Sequence, residues 1–170
     1  MTNASRITYT RLRELLNYDP ETGRLSWRVS RSNIRSGMEA GTITRGRNCV
    51  YLIVSIDGYR YKAHRLIWLY VTGKWPSVNI DHIDGKGSNN HFTNLRLATT
   101  AENLRNAQLS RRNTSGFKGV SYNRRLDRWQ ASITVAGKLH YLGIFNAPEK
   151  AHVAYCTAAK QHFGEFARFE

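Results

Sequence analysis

The chain has 170 residues, of which 41% are hydrophobic and 22% charged, enough apolar material for one core or two small ones and too much for a disordered chain. Lys and Arg number 26 against 12 Asp and Glu, a formal net charge of +14, which favours a phosphate polyanion as partner through counterion release. No run approaches the ~18 consecutive apolar residues of a spanning helix, and Met1–Arg6 lacks the apolar centre of a signal peptide, so a cytoplasmic protein with no membrane partner is expected, in a bacterial or phage-infected cell.

In chain order, Leu12, Leu15 and Leu16 are apolar at i, i+3 and i+4 and predict a short helix stopped by Asn17-Tyr18-Asp19-Pro20. Arg24 to Val29 alternates like a strand, and Gly37 to Asn48 reads as a loop. Val50–Ile56, a turn at Asp57-Gly58 and Tyr59–Tyr61 form a hairpin signature. A helix over about Ala63–Val71 follows, stopped by Gly73 and Pro76. From Val78 the order is strand (to Ile83), polar loop (Asp84–His91), a second strand within Phe92–Ala98, then a helix opened by the capping-box pattern Thr99-Thr100-Ala101-Glu102. A basic linker over 110–116 leads to three short strands, Val120–Asn123, Trp129–Val135 and His140–Phe145. A helix begins at Pro148-Glu149, with Ala151, Ala154, Tyr155, Ala158 and Ala159 facing inward. Cys49 and Cys156 are isolated, so neither a disulfide framework nor a Cys-x-x-Cys zinc site is indicated, and both read as buried free thiols.

The chemistry concentrates at Asp81-His82. A carboxylate suits a hard cation, and a histidine neutral at pH 7 can take a proton from water. Neighbours in a strand point to opposite faces, so these two share a site only where the strand ends, which Asp84-Gly85 supplies. Asp81 and the amide oxygen of Asn103 would hold one divalent cation, His82 would deprotonate the attacking water, and Asn94 would fix the loop and thereby the orientation of His82. His64 reads as a packing or capping residue, and the roles of His64 and His91 stay open.

Asp81-His82-Ile83-Asp84-Gly85, Asn89-Asn90-His91-Phe92-Thr93-Asn94-Leu95-Arg96 and Glu102-Asn103 together resemble the HNH endonucleases of the ββα-metal type. The resemblance is closest to phage and intron-encoded homing endonucleases with a His-Asn-Asn triad. It implies His82 as general base, Asn94 as the structural asparagine, Asp81 and Asn103 as ligands of Mg2+ or Mn2+ without structural zinc, and products with 5′-phosphate and 3′-hydroxyl ends. Residues 114–168 resemble an AP2-type DNA-binding domain, through Phe117-Lys118-Gly119-Val120, Trp129–Ile133 and Tyr141–Phe145. That implies a three-stranded antiparallel sheet on one helix, its outer face in the major groove of double-stranded DNA. Strand alternation turns Trp129, Ala131 and Ile133 inward and Gln130, Ser132 and Thr134 outward. Ser121 and Thr134 stand where the plant domain has groove-facing arginines, so no base preference carries over.

The expected fold class is therefore α+β, with an HNH endonuclease domain over 1–109 (ββα core about 78–109, preceded by helix and hairpin elements). A linker over 110–116 and an AP2-like domain over 117–170 complete it. Expected DNA contacts are Arg96, Arg105, Arg111, Arg112, Lys118, Ser121, Asn123, Arg124, Arg125, Arg128, Gln130, Ser132 and Thr134. Two alternatives stay open, a non-catalytic AP2-like regulator and a nuclease without sequence address. The sequence leaves target site, nicking or double-strand cutting, and oligomeric state open; a monomer is compatible with it.

Overall fold

The computed structural model describes residues 7–46, 50–110 and 112–169. It is a mixed α/β protein of several small sheets and, among the described residues, four α-helices. It divides into two compact units, residues 1–99 and 100–170.

In the first unit, helix α1 (Tyr9–Leu15) is capped by Thr8, whose hydroxyl oxygen accepts the Arg11 N–H at 3.2 Å, and it buries Leu12 and Leu15. Leu16 is not part of this helix. It opens strand β1 (Leu16–Asp19), antiparallel to β2 (Arg24–Trp27) with Leu16 opposite Trp27. The leucine triplet at helical spacing and the Leu16-x-Tyr18 alternation both put Leu16 inside, and pairing with β2 decides between them. The β1–β2 turn is held by the Asp19 carboxylate, which accepts the Glu21 N–H and the Thr22 hydroxyl. It reaches Gly23 at φ +70°, where a Cβ would stand 2.7 Å from the His91 nitrogen. Glycine is required there both for the left-handed backbone and for contact with the 84–91 loop.

A second departure from expectation is β3 (Thr42–Arg45), inside the segment expected to be loop. It pairs antiparallel with β4 (Val50–Ile56), and β4 pairs with β5 (Tyr59–Lys62) across the expected Asp57-Gly58 turn. All four β3 residues are exposed, so no apolar alternation marks this edge strand. Helix α2 (Ala63–Thr72) follows β5 directly. It buries Ala63, His64, Leu66, Ile67, Leu69 and Tyr70 and ends at Gly73. Leu12, Leu16, Leu25, Val54, Ile56, Leu66 and Ile67 form the centre of this unit's core, with Trp27, Trp68 and Trp75 around it. Strands β6 (Asn79–His82) and β7 (Leu95–Ala98) form a separate antiparallel pair, joined by a loop and a 3₁₀ turn at Phe92–Asn94.

The second unit begins with α3 (Thr100–Arg105), directly after Thr99. Its sheet has the order β10–β9–β8, from β8 (Val120–Asn123), β9 (Arg128–Val135) and β10 (Lys138–Phe145). Helix α4 (Pro148–Phe163) covers one face, where Ala151, Tyr155, Ala158 and Ala159 meet Val120, Ala131 and Ile133. At Gly119 a Cβ would overlap the Tyr155 ring, so the closeness of strand and helix depends on that glycine. Cys156 is half-buried rather than buried, and Cys49 lies outside the described residues. No helix among the described residues is long and apolar enough to cross a membrane.

Candidate active site

Strand β6 delivers Asp81 and His82 at its end, and β7 fixes what lies beside them. The register sets Asp81 opposite Arg96 and His82 opposite Leu95. Asp81 is 4% exposed, and its Oδ2 accepts hydrogen bonds from both Nε and Nη2 of Arg96, each at 2.9 Å. A carboxylate removed from water this far needs such a counter-charge.

His82 is 6% exposed, and its Nε2 stands 3.2 Å from Oδ1 of Asn90. The Asn90 amide nitrogen is directed to the Ser88 carbonyl, so Oδ1 is the atom turned to the imidazole. With Oδ1 as acceptor, this contact favours the tautomer protonated at Nε2. The His64 ring stands edge-on to His82, centroids 4.9 Å apart at 88°, and Tyr51 flanks both histidines. Burial pushes the His82 pKa below its ordinary value, against the opposing pull of the Asn90 hydrogen bond and of Asp84 and Asp81. Burial acts further on His64, with the charges of His82, Lys62 and Arg65 adding to it, and lowers it to about 3. Both rings are neutral at pH 7.

The loop after β6 is organised by Asn94. Its Oδ1 accepts the Asp84 N–H at 3.0 Å, and its Nδ2 donates to Asp84 Oδ1 and the Asn89 carbonyl at 3.0 and 2.9 Å. The backbone closes alongside, with the Ile83 N–H on the Asn94 carbonyl. Burial opposes the Asp84 charge, but hydrogen bonds from the Lys86 N–H, Asn89 and Asn94 outweigh it and hold the carboxyl below its usual range. Tyr18 reaches the far end of the loop, donating to the Asn90 carbonyl and accepting the Phe92 N–H.

With this geometry in view, residues 61–105 match the family model described as HNH endonuclease. The chain is similar to Protein 3.8 of Escherichia phage T7, 38% identical over 113 residues, 64% of this chain and 93% of that protein. It is also similar to a protein of Acanthamoeba polyphaga mimivirus called Uncharacterized HNH endonuclease L560, 37% identical over 116 residues, 67% of this chain and 59% of the relative. This chain belongs to the HNH endonuclease family. No solved structure matches it.

Two side chains of this HNH-family protein escaped sequence reasoning. Asn90 sits next to Asn89 in a polar loop and nothing local separates them, yet Asn90 is buried on the imidazole while Asn89 ties the loop. His64 lies 18 positions before His82 and meets it only because α2 packs there; the ring is buried as a packing residue, and the N-cap position is held by Lys62. His91 is half-buried, its N–H 3.4 Å from Asn89 Oδ1.

The remaining residues named from sequence fall in the second unit, apart from Arg96. Asn103 is exposed on α3. Lys118 donates to the carbonyls of Arg105 and Ala107, each at 2.8 Å, closing the end of α3, and burial lowers its pKa to about 8. The Arg105 guanidinium lies 4.7 Å from the Phe163 ring centroid. Arg96, Arg105 and Lys118 are thus engaged within the protein. Arg112, Arg124, Arg125 and Arg128 are exposed, and Arg111 lies outside the described residues. On the sheet face away from α4, Ser121 pairs with Gln130 and Asn123 with Arg128. Ser132 stands opposite Tyr141 and Thr134 opposite Leu139 on the same face. Asn123 also accepts the Arg125 and Leu126 N–H groups and so shapes the β8–β9 turn. Ala131 and Ile133 are buried, with Trp129 half-buried beside them.

Proposed function

We propose that this chain is a divalent-metal-dependent DNA endonuclease, with His82 as general base and a C-terminal AP2-like unit as the DNA-gripping module. The observation that carries the reading is the buried His82, neutral at pH 7, its Nε2 anchored by Asn90 beside a loop tied by Asn94, within the segment that matches the HNH family.

In this reading Nδ1 of His82 takes the proton of the attacking water, the water oxygen bonds to phosphorus, and the P–O3′ bond breaks. The products carry 5′-phosphate and 3′-hydroxyl ends. Asn90 keeps the imidazole in the tautomer that leaves Nδ1 basic, and Asn94 keeps the loop from displacing Asn90. His64 and Tyr51 exclude water from the buried side of the ring.

Asp81 is the residue of the first unit that would hold the cation. It offers oxygen, the donor of hard ions, and a carboxylate completed by water and phosphate oxygens suits Mg2+ or Mn2+. Such an ion supplies charge neutralisation at the leaving oxygen. The net charge of +14 and the exposed Arg112, Arg124, Arg125 and Arg128 support phosphate binding.

The test is conversion of supercoiled plasmid, and of DNA from the source genome, by wild type and His82→Ala with Mg2+ and with EDTA. Metal-dependent cutting is expected, lost in His82→Ala with DNA affinity retained. Cutting undiminished in the variant, or affinity lost along with it, removes His82 as the base.

A further inference from the structure

The Asp81–Arg96 pair does more than balance a buried charge. Nε and Nη2 of Arg96 both stand 2.9 Å from Oδ2 of Asp81. The pair is cross-strand, set by the β6–β7 register, and scarcely solvated, the two side chains being 4% and 12% exposed. A divalent ion bonded to this carboxylate at about 2.1 Å would set a second centre of positive charge against the guanidinium in a scarcely solvated place.

We propose that Arg96 is a resident counter-cation for Asp81. It holds the carboxylate while no divalent ion is bound and yields it when the ion arrives together with a DNA phosphate. The inference rests on the reading of Asp81 as a cation ligand.

Charge balance drives the exchange. Asp81 with Arg96 is neutral. A divalent ion alone adds two positive charges to a poorly solvated place, and a phosphodiester offsets one of them. The displaced guanidinium also has a partner, since its fork of N–H donors matches phosphate oxygens as well as carboxylate oxygens. Ion and DNA therefore bind with positive coupling, each raising affinity for the other. The free protein takes up divalent ions weakly although a buried carboxylate stands ready, and Arg96 moves from metal ligand to phosphate as the complex forms.

The experiment is titration of the full chain with Mn2+ in the absence of DNA, following the electron paramagnetic resonance signal of the unbound ion. Wild type is compared with Arg96→Gln, Arg96→Lys, Asp81→Asn and the Asp81→Asn/Arg96→Gln pair. Arg96→Gln is expected to bind Mn2+ at least about tenfold tighter than wild type, equivalent to about 1.4 kcal/mol. The Asp81→Asn/Arg96→Gln pair should lose that gain. Arg96→Lys keeps the net charge but lacks the two-nitrogen grip, and should bind severalfold tighter than wild type; it also carries the test if Arg96→Gln does not fold. Unchanged affinity in the Arg96 variants, with binding abolished by Asp81→Asn, overturns the counter-cation role and leaves the cation site standing. Affinity indifferent to Asp81→Asn in every background overturns the Asp81 reading itself, and the proposal with it.

Discussion

Replacing His64 by Phe should remove a stability loss that the wild-type protein suffers in mild acid. His64 is 5% exposed and its pKa in the fold is about 3, depressed by burial and by His82, Lys62 and Arg65. In the unfolded chain a histidine titrates near 6.5. The folded value is the lower one, so this stability is fully present above pH 6.5. As pH falls towards 3, the unfolded chain binds a proton that the fold refuses, and the stability is lost. At pH 5, about 1.5 pH units below the unfolded value, the loss from this one group is about 2 kcal/mol. Asp84 and Asp57, whose carboxyls are held low in the fold, stay ionised across that range and contribute nothing to the change. His82 contributes in the same direction in both proteins. Phe keeps a ring of similar size between Tyr51 and His82 and cannot titrate. The assay is urea unfolding at pH 7.5 and pH 5, followed by tryptophan fluorescence, since Trp27, Trp68 and Trp75 share the unit of His64. Wild type should lose about 2 kcal/mol more than His64→Phe between the two pH values. Equal losses would refute the argument that His64 is held neutral in its site.

Cleavage should have its acid limb below pH 6.5, because burial lowers the pKa of the base His82 and the rate falls only when that ring protonates; a half-maximal rate at or above pH 6.5 counts against the assignment. Asn94→Ala removes three side-chain hydrogen bonds from the loop and should cost about 2–3 kcal/mol in urea unfolding, with a fall in cleavage rate larger than any fall in DNA affinity. Arg124→Gln with Arg125→Gln should lower the slope of log affinity against log salt by about 0.9 for each phosphate no longer neutralised, while an unchanged slope would place DNA elsewhere than at the β8–β9 turn.

Local chemistry made much of this protein readable from its residues alone. The Asp57-Gly58 turn and its flanking β-branched runs specify β4 and β5, and three short strands before an alanine-rich helix specify the second unit. Asp81, His82 and Asn94 stand out in the sequence because the proposed chemistry calls for those residue types at that spacing. What depends on partners distant in sequence did not show. Leu16 satisfies a helix or a strand equally well until β2 pairs with it, and β3 has no buried face to leave a pattern. The engagement of Lys118 with two α3 carbonyls, rather than with solvent, depends on where the helix ends in space. His64 against His82, Asn90 on the imidazole and Arg96 on Asp81 are likewise contacts of the folded chain. Periodicity records which residues are buried, whereas only packing and strand register decide which buried groups touch, and at this site the contacts set protonation and charge.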